Sequence, residues 1–247
     1  MYKSICFGLL LALLGVSLSD APAVAQDNYS PVGIQLQAKN MHLWHGYKVT
    51  NSALESVAVD YTTRNGRFTI GLWNGQSFDA DYTEFDYYLS YDFGRGIGLS
   101  VWDINNFSDY PNANIFNYNR STTSHFIEAT LSYQATPSLG FKWGTIVLGR
   151  DTYTNPAGKI RNAFSNYAEA DYRFFHHETI NVHLFVGGAF SFVQKAHFYG
   201  SKPGIVNLGF KISNIFQVLE YDLPVAATAM WNPEQQYGAM QLSVNIF

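Results

Sequence analysis

Val206-Asn207-Leu208-Gly209-Phe210-Lys211-Ile212-Ser213 alternates apolar and polar residues without a break, and that period of two decides the fold. Successive side chains of an extended strand point to opposite faces, so this stretch reads as a strand with one apolar and one polar side. The same rhythm places Ile180, Val182, Leu184 and Val186 on one face, and Phe85, Tyr87, Leu89 and Tyr91 on another. It recurs at Met240, Leu242, Val244 and Ile246. Working outward, about twelve such runs are predicted, over residues 32–46, 54–63, 67–76, 82–93, 96–105, 123–134, 139–149, 164–174, 179–191, 204–214, 219–231 and 237–247. The run at 219–231 is interrupted by Pro224, which cannot donate to a sheet ladder.

The connections alternate in length. Asn65-Gly66, Gly94-Arg95-Gly96, residues 135–138, His176-His177-Glu178 and the region of Phe216 read as tight turns. Residues 106–122, 150–163 and 192–203 read as longer polar loops. Short turns at one end and long loops at the other predict an up-and-down antiparallel barrel, with periplasmic turns and extracellular loops.

Composition decides which way the apolar face points. Charged residues make up 14% of the 247-residue chain, well under the about 25% usual for soluble domains, while aromatics reach 17%. Mean hydropathy is only -0.09, so Asn, Ser, Thr and Gln dilute the apolar residues rather than charges. A large, uniform apolar face with so few charges opposite suits a wall facing lipid and a polar lumen. A net charge of -4 argues against a general nucleic-acid binder.

The first residues read as a targeting segment. Lys3 precedes the apolar run Ile5–Leu18, and Ala23-Val24-Ala25 has the small-residue pattern of a cleavage site. Residues 1–25 are therefore expected to be a cleaved secretory signal peptide, and residues 26–247 a single transmembrane β-barrel domain. Cys6, the only cysteine, lies in that leader, so disulfides and thiolate chemistry are not expected in the remainder. Nor is a transmembrane helix, because no later segment has 18 consecutive apolar residues.

Charged residues on the predicted polar faces are the candidate lumen lining: Asp60, Glu84, Asp86, Glu128, Lys142, Glu169, Asp171, Arg173 and Lys211. Glu84 and Asp86 share a face, about 7 Å apart by strand rise. Such residues form either a selective constriction or a mutually paired interior network. Trp44, Trp73, Trp102 and Trp231 fall toward the loop-side ends of strands and are expected to be interfacial aromatics. Loop 150–163 carries Arg150, Lys159 and Arg161 against Asp151, and loop 192–203 carries Lys195 and Lys202 with no acid. Each loop has a net charge of +2 and is a candidate contact for lipopolysaccharide phosphates. His42 and His45 are three apart, which in one strand places them on opposite faces, so no shared metal is expected. No catalytic residues and no cofactor are expected. A hydrolase site would need a serine beside a lipid-facing histidine such as His125.

The terminal Met240–Phe247 resembles the C-terminal assembly signal of bacterial outer-membrane proteins, with Phe247 out of phase with Leu242, Val244 and Ile246. More narrowly, Trp44-His45-Gly46-Tyr47, Gly71-Leu72-Trp73 and Glu84-Phe85-Asp86-Tyr87-Tyr88 resemble the first third of porins of the TorF type. The resemblance implies a barrel in a Gram-negative outer membrane, with lipid, lipopolysaccharide and the barrel-assembly machinery as partners, and no assigned catalytic residues. The expected function is a porin-like channel for passive diffusion of small hydrophilic solutes. The alternatives are a non-conducting structural or binding barrel and a barrel hydrolase.

Overall fold

The computed structural model describes residues 29–109 and 114–247; the leader expected at 1–25 lies outside them. In chain order the strands are β1 (Val32–Lys39), β2 (His42–Trp44), β3 (Tyr47–Thr50), β4 (Leu54–Thr62), β5 (Phe68–Ser77), β6 (Thr83–Gly94), β7 (Ile97–Asn105) and β8 (His125–Thr136). They continue as β9 (Leu139–Gly149), β10 (Thr152–Thr154), β11 (Ile160–Asn162), β12 (Ser165–His177), β13 (Ile180–Ser191), β14 (Gly204–Val218), β15 (Tyr221–Asn232) and β16 (Tyr237–Asn245). Twelve of them close into one antiparallel barrel in the order β1-β16-β15-β14-β13-β12-β9-β8-β7-β6-β5-β4. The other four form two small hairpins, β2–β3 and β10–β11.

The alternation fixes the two faces. Ile34, Val59, Leu72, Leu131, Phe210 and Leu242 are exposed on the outer wall. Their register partners continue the apolar row from strand to strand, as in Leu208 opposite Val186 and Trp231. Polar and small residues face inward. The buried cluster of Ile104, Phe126, Ile146, Tyr167, Ala189, Tyr199 and Val206 therefore lies inside the barrel, beside Trp44, Trp102 and Phe198.

Three boundaries differ from the sequence reading. The run expected over 32–46 breaks at Asn40, whose side chain donates to the Met240 carbonyl and accepts the Leu242 amide. The chain then leaves the wall, and His42–Trp44 belongs to the separate β2–β3 hairpin. His176 and His177 end β12, and the turn falls on Glu178, at φ 51°. β14 continues through Phe216 to Val218, so its turn lies at Leu219, at φ 58°. Pro224 is tolerated in β15 because it faces Ile215 of β14 just beyond the first β15–β16 pair, Val225 with Val244. Val206, read as part of the outward row, is fully buried: the register shifts at Gly187/Gly188 opposite it, and this bulge turns Val206 inward.

Gly209 faces the lumen, and a Cβ there would sit 2.1 Å from the Ala229 carbonyl oxygen and 2.7 Å from the Phe185 ring. Backbone cannot yield as a side-chain tip does. Gly209→Ala is expected to destabilise the barrel by about 1–3 kcal/mol. Urea unfolding followed by tryptophan fluorescence would show it, with an unchanged midpoint as the contrary result.

Candidate functional site

The chain between β1 and β4 does not project outward; it crosses the barrel. β2 and β3 are joined by His45-Gly46, with Trp44 paired to Tyr47. Both turn residues have positive φ, 49° and 76°, as a two-residue hairpin turn of type I′ requires. Gly46 is obligatory on a second count, because a Cβ there would meet the Val206 carbonyl oxygen at 2.2 Å.

The tip is anchored on the far wall. His45 Nε2 donates to Glu128 Oε1 of β8 at 3.1 Å, and its ring stacks on Tyr167 of β12 with centroids 4.1 Å apart. Glu128 also accepts from Thr130 at 2.9 Å and from the Tyr199 hydroxyl at 3.2 Å. The Gly46 carbonyl accepts from Asn232 Nδ2 at 3.0 Å and from the Tyr237 hydroxyl at 2.8 Å. At the base, the Leu43 amide donates to Gln241 Oε1 at 2.9 Å. Trp44 packs against Phe126, Phe198 and Tyr199, at 5.4–6.0 Å between centroids. β1 and β4 lie opposite β8, β9 and β12 in the strand order, so the hairpin spans the lumen.

On the β5–β8 side of the hairpin lies a cavity of about 750 Å³. Asp81, Ser108 and Asp109, from the loops, line its rim. Glu84, Asp86, Trp73, Trp102 and Glu128, from the wall, line its depth, and His42 and Trp44 of the hairpin form its other side. Register places Trp73 directly opposite Asp86, and Trp102 directly opposite Glu128, so indoles and carboxylates alternate on one inner face.

The sequence-predicted lumen residues fall into separate groups. Glu84, Asp86 and Glu128 line the cavity. Lys142 and Glu169 form an ion pair at 2.9 Å, and Glu169 accepts from the Tyr167 hydroxyl under the hairpin tip. Asp171 accepts from His183 Nδ1 at 2.6 Å, while Arg173 and Lys211 stand in register on either side of His183. Asp60 lies apart on β4, its carboxylate 3.0 Å from where a Gly33 Cβ would sit.

The expected interfacial aromatics are corrected for three of four. Trp44, Trp73 and Trp102 line the interior cavity, and only Trp231, 46% exposed, stands on the outer wall. The physical reason is parity. Trp73 and Trp102 occupy inward register positions, and Trp102 stacks on the inward Tyr88 at 4.3 Å; Trp44 has left the wall altogether.

Arg150 likewise does not join the outward basic patch: it lines the cavity, its guanidinium 5.2 Å from the Phe126 ring centre. Lys159, Arg161, Lys195 and Lys202 are exposed on the loops. In the same loop region Asp151 is buried and accepts both the amide and the hydroxyl of Ser165. Burial raises its carboxyl above the ordinary range, outweighing those two bonds.

Sequence reasoning missed the hairpin and with it His45, Tyr167 and Tyr199. The available signal was His45-Gly46 between apolar residues, which marks a tight turn. His125 Nδ1 faces Asp103 Oδ1 at 2.8 Å, but the neighbouring Ser124 hydroxyl donates to Asn105 at 2.5 Å. No metal-ligand cluster of three or more His, Cys, Asp or Glu occurs among the described residues.

The chain is similar to the NanC porin structure at 7% identity and a TM-score of 0.48, covering 86% of this chain and 98% of that one. It is similar to an outer-membrane channel from Pseudomonas putida F1 at 12% identity and a TM-score of 0.46, over 90% of this chain and 98% of that one. A BenF-like porin from Pseudomonas fluorescens Pf-5 follows at 13% and 0.34, over 88% and 64%. No protein-family model and no curated protein matches the chain.

Anchoring of the tip is open to test. Glu128→Gln removes the charged acceptor from His45, and Gly46→Ala drives a Cβ into Val206. Both are expected to lower hydrogen-exchange protection at residues 42–50 while the wall strands keep theirs. Equal protection in wild type and both variants would mean the tip is held by packing elsewhere.

Proposed function

We propose that this protein is a porin-like channel of a bacterial outer membrane, passing small hydrophilic solutes through a lumen narrowed by the β2–β3 hairpin. The supporting observation is the combination of an apolar outer wall with a charged cavity of about 750 Å³ inside a closed barrel. A closed barrel leaves no unpaired strand edge, which is the condition for spanning lipid with strands. An apolar wall of this extent on a protein in water would be an aggregation surface. The long-loop end, where the cavity's rim lies, is read as extracellular, with the short turns periplasmic. The exposed Lys159, Arg161, Lys195 and Lys202 then face lipopolysaccharide, and the last strand is the segment the barrel-assembly machinery would engage.

This reading assigns the hairpin a transport role. It spans the lumen and leaves the cavity on its β5–β8 side, so its removal widens the path. In planar bilayers the purified, folded protein is expected to give small discrete conductance steps. Replacing residues 42–49 with a two-glycine turn is expected to enlarge the step. Folded protein that never opens would sink the channel reading and leave a structural or binding barrel.

The membrane placement has its own test. Phe210→Arg, on the outer wall near the middle of β14, is expected to cost about 2–4 kcal/mol in detergent or liposome refolding. Ser213→Arg, on the lumen face of the same strand, is expected to cost much less. Similar costs at both sites, or a protein that remains monomeric in buffer without detergent, would exclude a lipid-facing wall.

A further inference from the structure

Glu84 and Asp86 are 6% and 3% exposed, yet among the described residues neither is in an ion pair. Asp86 accepts the Asn105 amide, at 3.0 Å. Two neighbouring carboxylates on one strand face thus look into the cavity without a salt-bridge partner among the described residues. Buried carboxylates are ordinarily paired, because a desolvated charge without compensation is costly. The cavity as a whole has the same imbalance: its lining includes five carboxylates against Lys39 and Arg150.

The rings beside those carboxylates are suited to the same partner. Trp73 stands opposite Asp86, and Trp102 opposite Glu128. An indole face attracts a cation through its quadrupole. The wall already shows this preference, since the Lys39 ammonium lies 5.8 Å from the Trp73 ring centre. On the hairpin side, His42 stacks on Trp73 at 5.7 Å, and its Nδ1 is buried with no hydrogen-bond partner.

We infer that the cavity between the β2–β3 hairpin and β5–β8 is a binding subsite for a small organic cation, held by Glu84 and Asp86 with its body against Trp73 and Trp102. This deepens the channel reading and rests on it for its role in transport. The ammonium head enters past Asp81 and Asp109 at the rim and meets Glu84 and then Asp86 deeper along β6. Lys39 occupies the edge of the same wall and competes with the ligand. A neutral sugar would also find ring faces and acceptors here, but it leaves the excess negative charge uncompensated.

Choline is a suitable probe, with uncharged 3,3-dimethylbutan-1-ol of the same shape and glucose as comparisons. Binding is measured by titration calorimetry on the folded barrel in detergent, and separately as choline block of single-channel conductance. Choline is expected to bind saturably and at least about tenfold more tightly than either neutral compound. Glu84→Gln with Asp86→Asn, close to isosteric, is expected to weaken it by about tenfold or more, through loss of the charge–charge attraction to the quaternary ammonium. Trp102→Phe is expected to weaken it several-fold, and Lys39→Met to tighten it.

Heat-modifiable gel migration confirms that each variant is folded. Neutral compounds binding as well as choline, or choline affinity unchanged in the double variant, would overturn the inference. If choline binds and no conductance is seen, the channel reading fails alone. If conductance is seen and choline neither binds nor blocks, the subsite fails alone.

Discussion

At the seam of the barrel the Leu36 amide donates to the Phe247 carbonyl, and the Ile246 amide donates back to the Leu36 carbonyl, each at 2.8 Å. Gln37, Ala38 and Lys39 continue the pairing with Asn245, Val244 and Ser243. This junction of the first and last wall strands makes a sheet into a barrel, and the other features depend on it. Without closure β1 and β16 would expose a row of unpaired amides and carbonyls at each edge. Closure also creates an inside, where polar side chains are held beside the buried cluster around Phe126, Tyr167 and Tyr199. The seam is polar on that inner side, where Gln37 donates to Asn245 at 2.5 Å, and the exposed Asn40 bridges to the backbone of β16.

The inside is stabilised by a segment that a simple barrel would leave as an outer loop. The β2–β3 hairpin brings Trp44 to Phe126, Phe198 and Tyr199, and His45 to Glu128 and Tyr167. Backbone groups at its tip are satisfied by Asn232 and Tyr237, so its insertion does not strand the Gly46 carbonyl. Loop 192–203 folds in from the other side, placing Phe198 and Tyr199 on the hairpin. Twelve strands enclose more space than their own side chains fill, and the hairpin takes up part of it.

Charge is sorted across that divide. Toward β9 and β12–β14 the charges answer one another: Lys142 meets Glu169, and His183 meets Asp171 between Arg173 and Lys211. Toward β5–β8, among the described residues, Glu84 and Asp86 stand in the cavity without ion-pair partners, while Glu128 is tied down by the hairpin itself. One half of the interior is thus a paired network and the other keeps an acid excess beside indole rings. A uniform ring of lumen charges would give one selectivity filter; this arrangement gives a support and a cavity.

The sequence by itself determined the wall. Period-two alternation marked the twelve strands, because burial on one face and polarity on the other repeat with the pleat. Gly94-Arg95-Gly96 and Asn65-Gly66 marked turns, because they admit positive φ. It also identified Glu84, Asp86, Glu169 and Asp171 as inward, since parity alone fixes the face. Only the tertiary structure decided what crosses the lumen. Residues 42–44 alternate like a wall strand, and nothing local distinguishes a strand that stays in the ladder from one that leaves at Asn40. The partners that draw it inward, Glu128, Tyr167, Tyr199 and Asn232, are 83 to 186 residues away in sequence. For the same reason Trp44, Trp73 and Trp102 read as a belt and proved to be a lining. Aromatic residues suit a lipid interface and a ligand cavity equally well, and register, bulges and the hairpin's contacts decide between them.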